Sequence, residues 1–461
     1  MEKIRNVNHY LGEEKIGKLM LKFSIPCIMS LLVSALYNIV DQIFIGHGIG
    51  YLGNGATNVV FPITIIVLAI ALLIGDGCAA FLSICQGRND TDSSNRSVGN
   101  AISLTVILSI IFVIIFYVFK ENLLLSFGAT DGNIGYAREY YDIIVMGVPF
   151  FMFSNAMNSI IRADGNPKFA MMSTLVGCII NIILDPIAIF VFNMGMQGAA
   201  LATILGQLVS AILAIYYIFK PKTFTLSKVT FSLQPAILKK ILPLGISSFL
   251  TQISIVVIMA VMNNMLVQYG ANSKYGADIP LTVVGIVMKV FQIVISIVVG
   301  IAAGAQPIVG YNYGAGLYER VKKIFKTMII AEIVVGAIST ICFEFFPMQI
   351  ISLFGSESAL YNEFAVLAFR IYLVTILLCC IQKATSIFLQ SLGKPVLSTG
   401  LSLLRDFILS VPLVLILPYF DGVTGLLFSA PIADIISFIV VIFVIRYVYQ
   451  WLNKQMHEAI V

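Results

Sequence analysis

The chain has 461 residues, of which 59% are hydrophobic and only 11% charged, and its mean hydropathy is +0.98. A soluble domain carries about 25% charged residues, so the composition excludes a water-soluble enzyme or binding module and points to a chain solvated mostly by lipid. The net charge of +5 does not indicate nucleic acid as a partner, because the basic residues sit in short turns between apolar runs, where they set membrane orientation.

Apolar stretches long enough to cross a bilayer, roughly 20 residues each, recur about twelve times. The expected spans run Ile16 to Phe44, Ala56 to Cys85, Val98 to Phe119, Tyr136 to Ile161, Phe169 to Phe192 and Gly198 to Phe219. A second set follows: Ile237 to Val267, Leu281 to Ile308, Val321 to Phe345, Leu360 to Gln390, Val396 to Leu417 and Val423 to Tyr449. The first stretch is too long for a signal-peptide core and lacks a small-residue cleavage site, so it is expected to be retained. The fold class is therefore an all-α integral membrane protein.

Lys and Arg are distributed unevenly over alternate loops. One side collects Lys3, Arg5, Lys15, Lys18, Arg88, Arg96, Arg162, Lys168, Lys220, Lys222, Lys228, Lys239, Lys240, Arg320, Lys322, Lys323, Lys326, Lys394, Arg446 and Lys454, and the other little beyond Lys120, Arg138 and Lys274. That bias predicts a multi-pass protein of the plasma membrane with both termini in the cytoplasm.

The chain also repeats itself. Phe127-Gly128 is matched by Phe354-Gly355, Gly165-Asn-Pro167 by Gly393-Lys-Pro395, and Gly195-Met-Gln-Gly198 by Gly422-Val-Thr-Gly425, each 227 or 228 residues downstream. Six spans per unit is an even number, so both units enter the membrane from the same side, as parallel repeats related by an axis along its normal. The expected organisation is an N-terminal lobe, residues 1–219, a cytoplasmic linker, 220–240, and a C-terminal lobe, 241–461, facing each other across a cleft suited to alternating access.

The fifth span contains Asn181-Ile-Ile-Leu-Asp185-Pro186 inside an otherwise apolar helix. A carboxylate at the centre of a spanning helix costs about 2.5 to 3.5 kcal/mol on insertion scales, so its presence asks for a function. Asn181 and Asp185 are four residues apart and share a helix face. Pro186 has no N–H for the carbonyl of Ile182 and marks a hinge. Asp41 lies deep in the first span, with Tyr37 one turn before it. In the seventh span Met262 and Asn263 stand near the place that Asp41 takes in the first, and shifting by the repeat puts Pro412 in that of Asp185, so the acid pair belongs to the N-terminal lobe alone. No Lys or Arg is expected mid-span in that lobe, and buried carboxylates without a basic partner either stay protonated or take up a cation. In the C-terminal lobe Lys289, Lys383, Arg405, Asp406 and Asp434 are possible mutual partners.

Five pieces in order, Asp41-Gln-Ile-Phe-Ile-Gly46, Gly165-Asn-Pro167, Asn181 to Pro186, Gly198-Ala-Ala-Leu-Ala-Thr203 and Gln306-Pro307-Ile-Val-Gly-Tyr-Asn312-Tyr-Gly-Ala315, resemble the multidrug and toxic compound extrusion (MATE) family over nearly the whole chain. The resemblance implies a V-shaped pair of six-helix lobes that exports small hydrophobic or cationic organic compounds against a proton or sodium gradient. It further implies the branch whose cation site lies in the N-terminal lobe, with Asp41, Asn181, Asp185 and Thr203 as ligands and Tyr37 as a neighbour. The branch with carboxylates in the seventh and tenth spans is disfavoured, since Gln252, Arg370 and Lys383 stand there.

Around this core, Asp76 in Gly75-Asp-Gly77 reads equally as a second titrating group or a capped structural acid. Asn155 and Asn158 suit a cleft wall. Glu332 could pair with a neighbouring helix and reads as structural. Lys289, Lys383, Arg405 and Asp434 read as charge-balanced scaffold, although a basic residue in the cleft suits anionic substrates. The seven cysteines fall within spans without metal-ligand spacing and act as small apolar side chains, and His9, His47 and His457 are scattered. No phosphate-cradling Gly-x-x-x-x-Gly-Lys-Ser/Thr loop occurs, so direct ATP drive is excluded within the chain. No cofactor and no metal beyond a coupling ion is expected, and the protein is expected to be a monomer. The alternatives are a lipid or glycolipid flippase, which needs a basic cleft for a pyrophosphate, and a membrane-embedded enzyme, which needs a nucleophile or metal constellation.

Overall fold

The computed structural model describes residues 8–276, 278–352 and 358–460, all of them helical or in short connections. Twelve spans follow in order, one of them broken. They are Ile16–Gly48, Tyr51–Gly87, Thr91–Val118, Ile134–Ala163, Pro167–Pro186 continued as a π turn Ile187–Val191, and Gly195–Ile218, then Pro235–Ala271, Asp278–Gly314 and Tyr318–Phe345. The tenth is the bent pair Ala359–Tyr372 and Ile376–Ser391. The eleventh is Pro395–Leu403 with a π stretch Leu404–Leu409 and Ser410–Ile416, and the twelfth Ser429–Ile460. Exposed aromatics cluster where the spans end away from the termini: Tyr117, Phe119, Phe192, Phe345, Tyr419 and Phe420. This is the aromatic belt expected at a membrane–water interface.

Three boundaries depart from expectation. The tenth span is bent by 45° across Leu373–Thr375, where the Thr375 hydroxyl donates to Asp434 Oδ2 at 2.7 Å and is turned out of the helix path. The twelfth begins at Ser429, because Pro418–Leu427 is a separate short helix kinked at Gly422, whose φ of 54° stops it from joining a continuous span. The expected linker ends at Gln234, its last six residues being the first turns of the seventh span, which starts on Pro235. The preceding strap is held to the N-terminal half. Asp164 accepts from the backbone N–H of Lys222 at 2.7 Å and of Thr223 at 2.9 Å, and from the Tyr217 hydroxyl at 2.6 Å.

The repeat recurs in the backbone. Gly165 and Gly393 have φ of 84° and 71°, and Gly195 and Gly422 have 55° and 54°, so each pair makes the same left-handed turn between the same two spans of its half. Phe354-Gly355, the partner of Phe127-Gly128, lies outside the described residues, as do Lys3 and Arg5.

The two halves interlock at the side that carries the termini. Leu19, Met20 and Phe23 of the first span pack in a core cluster with the eighth, ninth, tenth and twelfth spans, while Ile237 and Ile241 of the seventh pack in the cluster of the second to sixth. Backbones approach to contact there. A Cβ on Gly245 would stand 1.8 Å from the carbonyl oxygen of Leu73, and one on Gly77 would stand 2.4 Å from that of Ile241. Such small-residue approaches replace the hydrophobic drive that helix association lacks in lipid. Asn312, from the Gln306–Ala315 segment, donates to the carbonyl of Leu11 at 3.0 Å. Away from the termini an open cavity of about 330 Å³ is lined by residues of the first, second and eighth spans.

Candidate cation site and cleft

Helix geometry gathers the predicted site residues from three spans of the N-terminal half. Asp41 is 8% exposed and Asp185 fully buried, and their carboxyls lie against each other. Asn181, one turn before Asp185, donates its Nδ2 to Asp185 Oδ1 and to Thr203 Oγ1 of the sixth span, both at 3.3 Å. Three buried oxygens of these residues, Asp41 Oδ1, Asn181 Oδ1 and Asp185 Oδ2, have no hydrogen-bond donor among the described residues. Tyr37 stands beside both acids. Among the described residues no Lys, Arg or His is ion-paired with either acid; the buried pairs lie elsewhere. Two adjacent carboxyls in low dielectric cannot both carry uncompensated charge, so the arrangement calls for a proton or a hard cation, which carboxylate, amide and hydroxyl oxygens suit.

The site lies nearer one surface than a mid-membrane acid would. Six residues, roughly 9 Å at the α-helical rise, separate Asp185 from the end of its span at Val191. At Pro186 the helix is not broken; it passes into a π turn, with Phe192 N–H donating to Ile187 O at 3.0 Å. π turns accommodate the donor that proline removes and are frequent at functional sites.

Tyr140 of the fourth span joins the site without having stood out in the sequence. It is buried in the neighbourhood of Asp41, Tyr37, Asp185 and Thr203. Nothing local distinguishes it from its neighbour Tyr141, whose hydroxyl bonds the carbonyl of Phe116 at 2.7 Å.

The remaining polar residues fall into different places. Asp76 accepts from Ser159 at 2.6 Å and from Ser248 at 2.8 Å, with the Arg162 guanidinium at 3.7 Å. Arg162, grouped with the loop cations on sequence, is therefore a buried residue of the fourth span, and Asp76 joins the second, fourth and seventh spans. Asn158 donates to the Ala170 carbonyl and to Thr174, each at 2.9 Å, linking fourth and fifth spans, and Asn155 donates to the carbonyl of Phe151 at 2.8 Å.

In the C-terminal half Asp406 joins Lys383 and Arg405, and Arg405 Nε donates to Asp434 at 2.9 Å, forming a buried quartet of two cations and two anions. Lys289 is not part of it. Glu332 is fully buried, and neither carboxyl oxygen has a hydrogen-bond partner among the described residues.

Twelve membrane-spanning segments, counting the bent pair as one, with glycine turns repeated between the two halves of the chain and a buried acid pair in the first, define a polytopic membrane transporter. The MatE family model matches residues 26–187 and again 247–416, and the chain belongs to that family. It is 25% identical over 433 residues to the multidrug export protein MepA of Staphylococcus saprophyticus, covering 93% of each chain, and 26% identical over 444 residues to the MepA of Staphylococcus haemolyticus, covering 95% of this chain and 94% of that one. Among solved structures it is similar to the MATE multidrug transporter DinF-BH, captured as a ligand complex, with 33% identity, a TM-score of 0.87 and coverage of 95% and 96%. An outward-facing MATE transporter of the MOP superfamily, at 24% identity, shares the fold with a TM-score of 0.88 over 98% of this chain.

Proposed function

We propose that the protein is a cation-coupled antiporter of the plasma membrane, working as a monomer, that exports small hydrophobic or cationic organic compounds in exchange for H+ or Na+. Its cation site is formed by Asp41, Asn181, Asp185 and Thr203, with Tyr37 beside them, as in the branch that keeps its site in the N-terminal lobe. The observation that carries the reading is the buried pair of adjacent carboxyls, Asp41 and Asp185, with no cation of the described residues beside it and with oxygens left without donors. The multidrug export named for the MepA relatives and the multidrug transport named for DinF-BH support the substrate class.

The lobes are residues 1–219 and 241–461, and the Lys- and Arg-rich loops put both termini, and hence the interlocked surface, in the cytoplasm. The structure then corresponds to a state open to the outside. Entry of a cation from that side neutralises the acids and favours the conformation that releases the drug. The emptied, charged site favours the one that takes up drug from the cytoplasm. Coupling requires only that cation and drug prefer opposite states.

The test is dye efflux by purified protein in liposomes under an imposed pH gradient and, separately, an imposed sodium gradient, with Asp185→Asn as the variant. One of the two gradients should drive the wild-type protein, and the variant should respond to neither. A variant that follows the gradient like wild type would remove the acids from the mechanism.

A further inference from the structure

The cavity between the halves is lined by Ile39, Gln42, Ile43, Gly46 and His47 of the first span, Asn54 of the second and Lys289 of the eighth. The five residues of the first span follow the i, i+3, i+4, i+7, i+8 pattern of a single helix face. At about 330 Å³ the space is of the size that takes a small organic molecule.

Its charge is the reverse of the cation site's. No Asp or Glu lines it. Asp41, next in sequence to Gln42, is turned into the N-terminal half, whereas Lys289 makes no ion pair with any described residue. Lys289 is exposed, whereas the buried cations Arg162, Lys383 and Arg405 are each beside a carboxylate. Lys289 lies eleven residues into its span, roughly 16 Å from the helix end at the rise of an α-helix. That depth is beyond the length of a lysine side chain, so its ammonium depends on the wet cleft for solvation. His47 adds to the wall: its Nδ1–H donates to the carbonyl of Ile43 at 2.8 Å, which leaves Nε2 for a ligand. Gln42 and Asn54 contribute amides, and Ile39 and Ile43 an apolar surface.

We propose that Lys289 is the residue that reads an acidic group on the transported molecule, so that the cleft prefers amphiphiles carrying a carboxylate on a hydrophobic body, zwitterions included, over compounds that are only cationic. The proposal rests on the export reading for its physiological meaning, and it narrows the substrate class. An unpartnered ammonium facing a cavity gains most from an anion, because the charge-assisted bond replaces partial hydration rather than an existing ion pair.

Rhodamine B, which carries a free carboxylate at neutral pH, and its ethyl ester, which does not, form a matched pair of probes. Binding of each to the purified full-length protein in lipid nanodiscs is measured by fluorescence anisotropy, for wild type, Lys289→Gln and Lys289→Arg. Wild type should prefer the acid over the ester by at least ~10-fold. Lys289→Gln should erase most of that preference and Lys289→Arg should keep it. A wild-type protein without preference, or a Lys289→Gln variant that retains it, overturns the proposal. The measurement needs no gradient. Absence of gradient-driven transport would therefore defeat the export reading alone, while equal binding of the two dyes would defeat only the role of Lys289.

Discussion

Asp41 and Gln42 are consecutive residues that face different compartments of the molecule: the carboxyl of Asp41 is buried against Asp185, and the side chain of Gln42 lines the cleft cavity opposite Lys289. A single helix thus separates the cation site from the cavity. A small rotation or bend of the first span that accommodates a cation on one face must change the wall of the cavity on the other.

Linkage between these two faces is reciprocal. Raising the coupling cation should weaken dye binding to wild-type protein, by about 5-fold if the coupling is near the lower end of the usual 1–3 kcal/mol. Asp41→Asn should make dye affinity insensitive to pH and sodium. Anisotropy titrations at several pH values and sodium concentrations check this, and an unaltered cation dependence in the variant would uncouple the two faces.

The C-terminal half carries its cations within the chain. Lys383 and Arg405 pair with Asp406 and Asp434. Removing one partner of a buried pair typically costs about 3–5 kcal/mol, whereas removing both is often close to neutral. Lys383→Leu should lower the melting temperature of the detergent-solubilised protein markedly, and the double variant Lys383→Leu/Asp406→Leu should recover most of the loss. A single variant as stable as wild type would show that the quartet does not hold the tenth, eleventh and twelfth spans together.

Closure at the surface bearing the termini depends on bare backbone. A methyl group on Gly245 meets the Leu73 carbonyl, a backbone atom that cannot swing aside, whereas one on Gly17 of the first span meets nothing within 4 Å. Gly245→Ala should therefore push the seventh span off the second and impair both stability and transport, and Gly17→Ala should do neither. Thermal unfolding and efflux assays on the two variants make the comparison.

Much of the architecture is legible because the bilayer enforces a length on each apolar run and because the repeated Gly-x-Pro and Gly-x-x-Gly turns recur at one spacing. The acid pair is legible for a related reason: Asp41 and Asp185 stand in apolar helices, where a carboxyl requires an explanation. The link from Asn181 to Thr203 rests on family resemblance, since the two belong to different helices and no periodicity relates them. Tyr140 carries no signal, being one of two adjacent tyrosines whose roles only packing separates. Arg162 is misplaced on sequence because it sits four residues before Asn166 at a span end, where composition alone cannot tell a buried guanidinium from a loop cation. The bend at Leu373–Thr375 is hidden because it depends on Asp434, 59 residues away. Lys289 is visible as a charge in a span, but its orientation toward the cleft requires the first and eighth spans to be placed side by side.

The central claim is that Asp41 and Asp185 are neutralised and recharged once per export cycle. Its most direct test is gradient-driven dye transport by Asp41→Asn in liposomes, compared with wild type under the gradient that drives the latter. The account predicts that the variant folds and equilibrates dye down its own gradient but accumulates none against it. Concentrative transport by Asp41→Asn at the wild-type rate would contradict it.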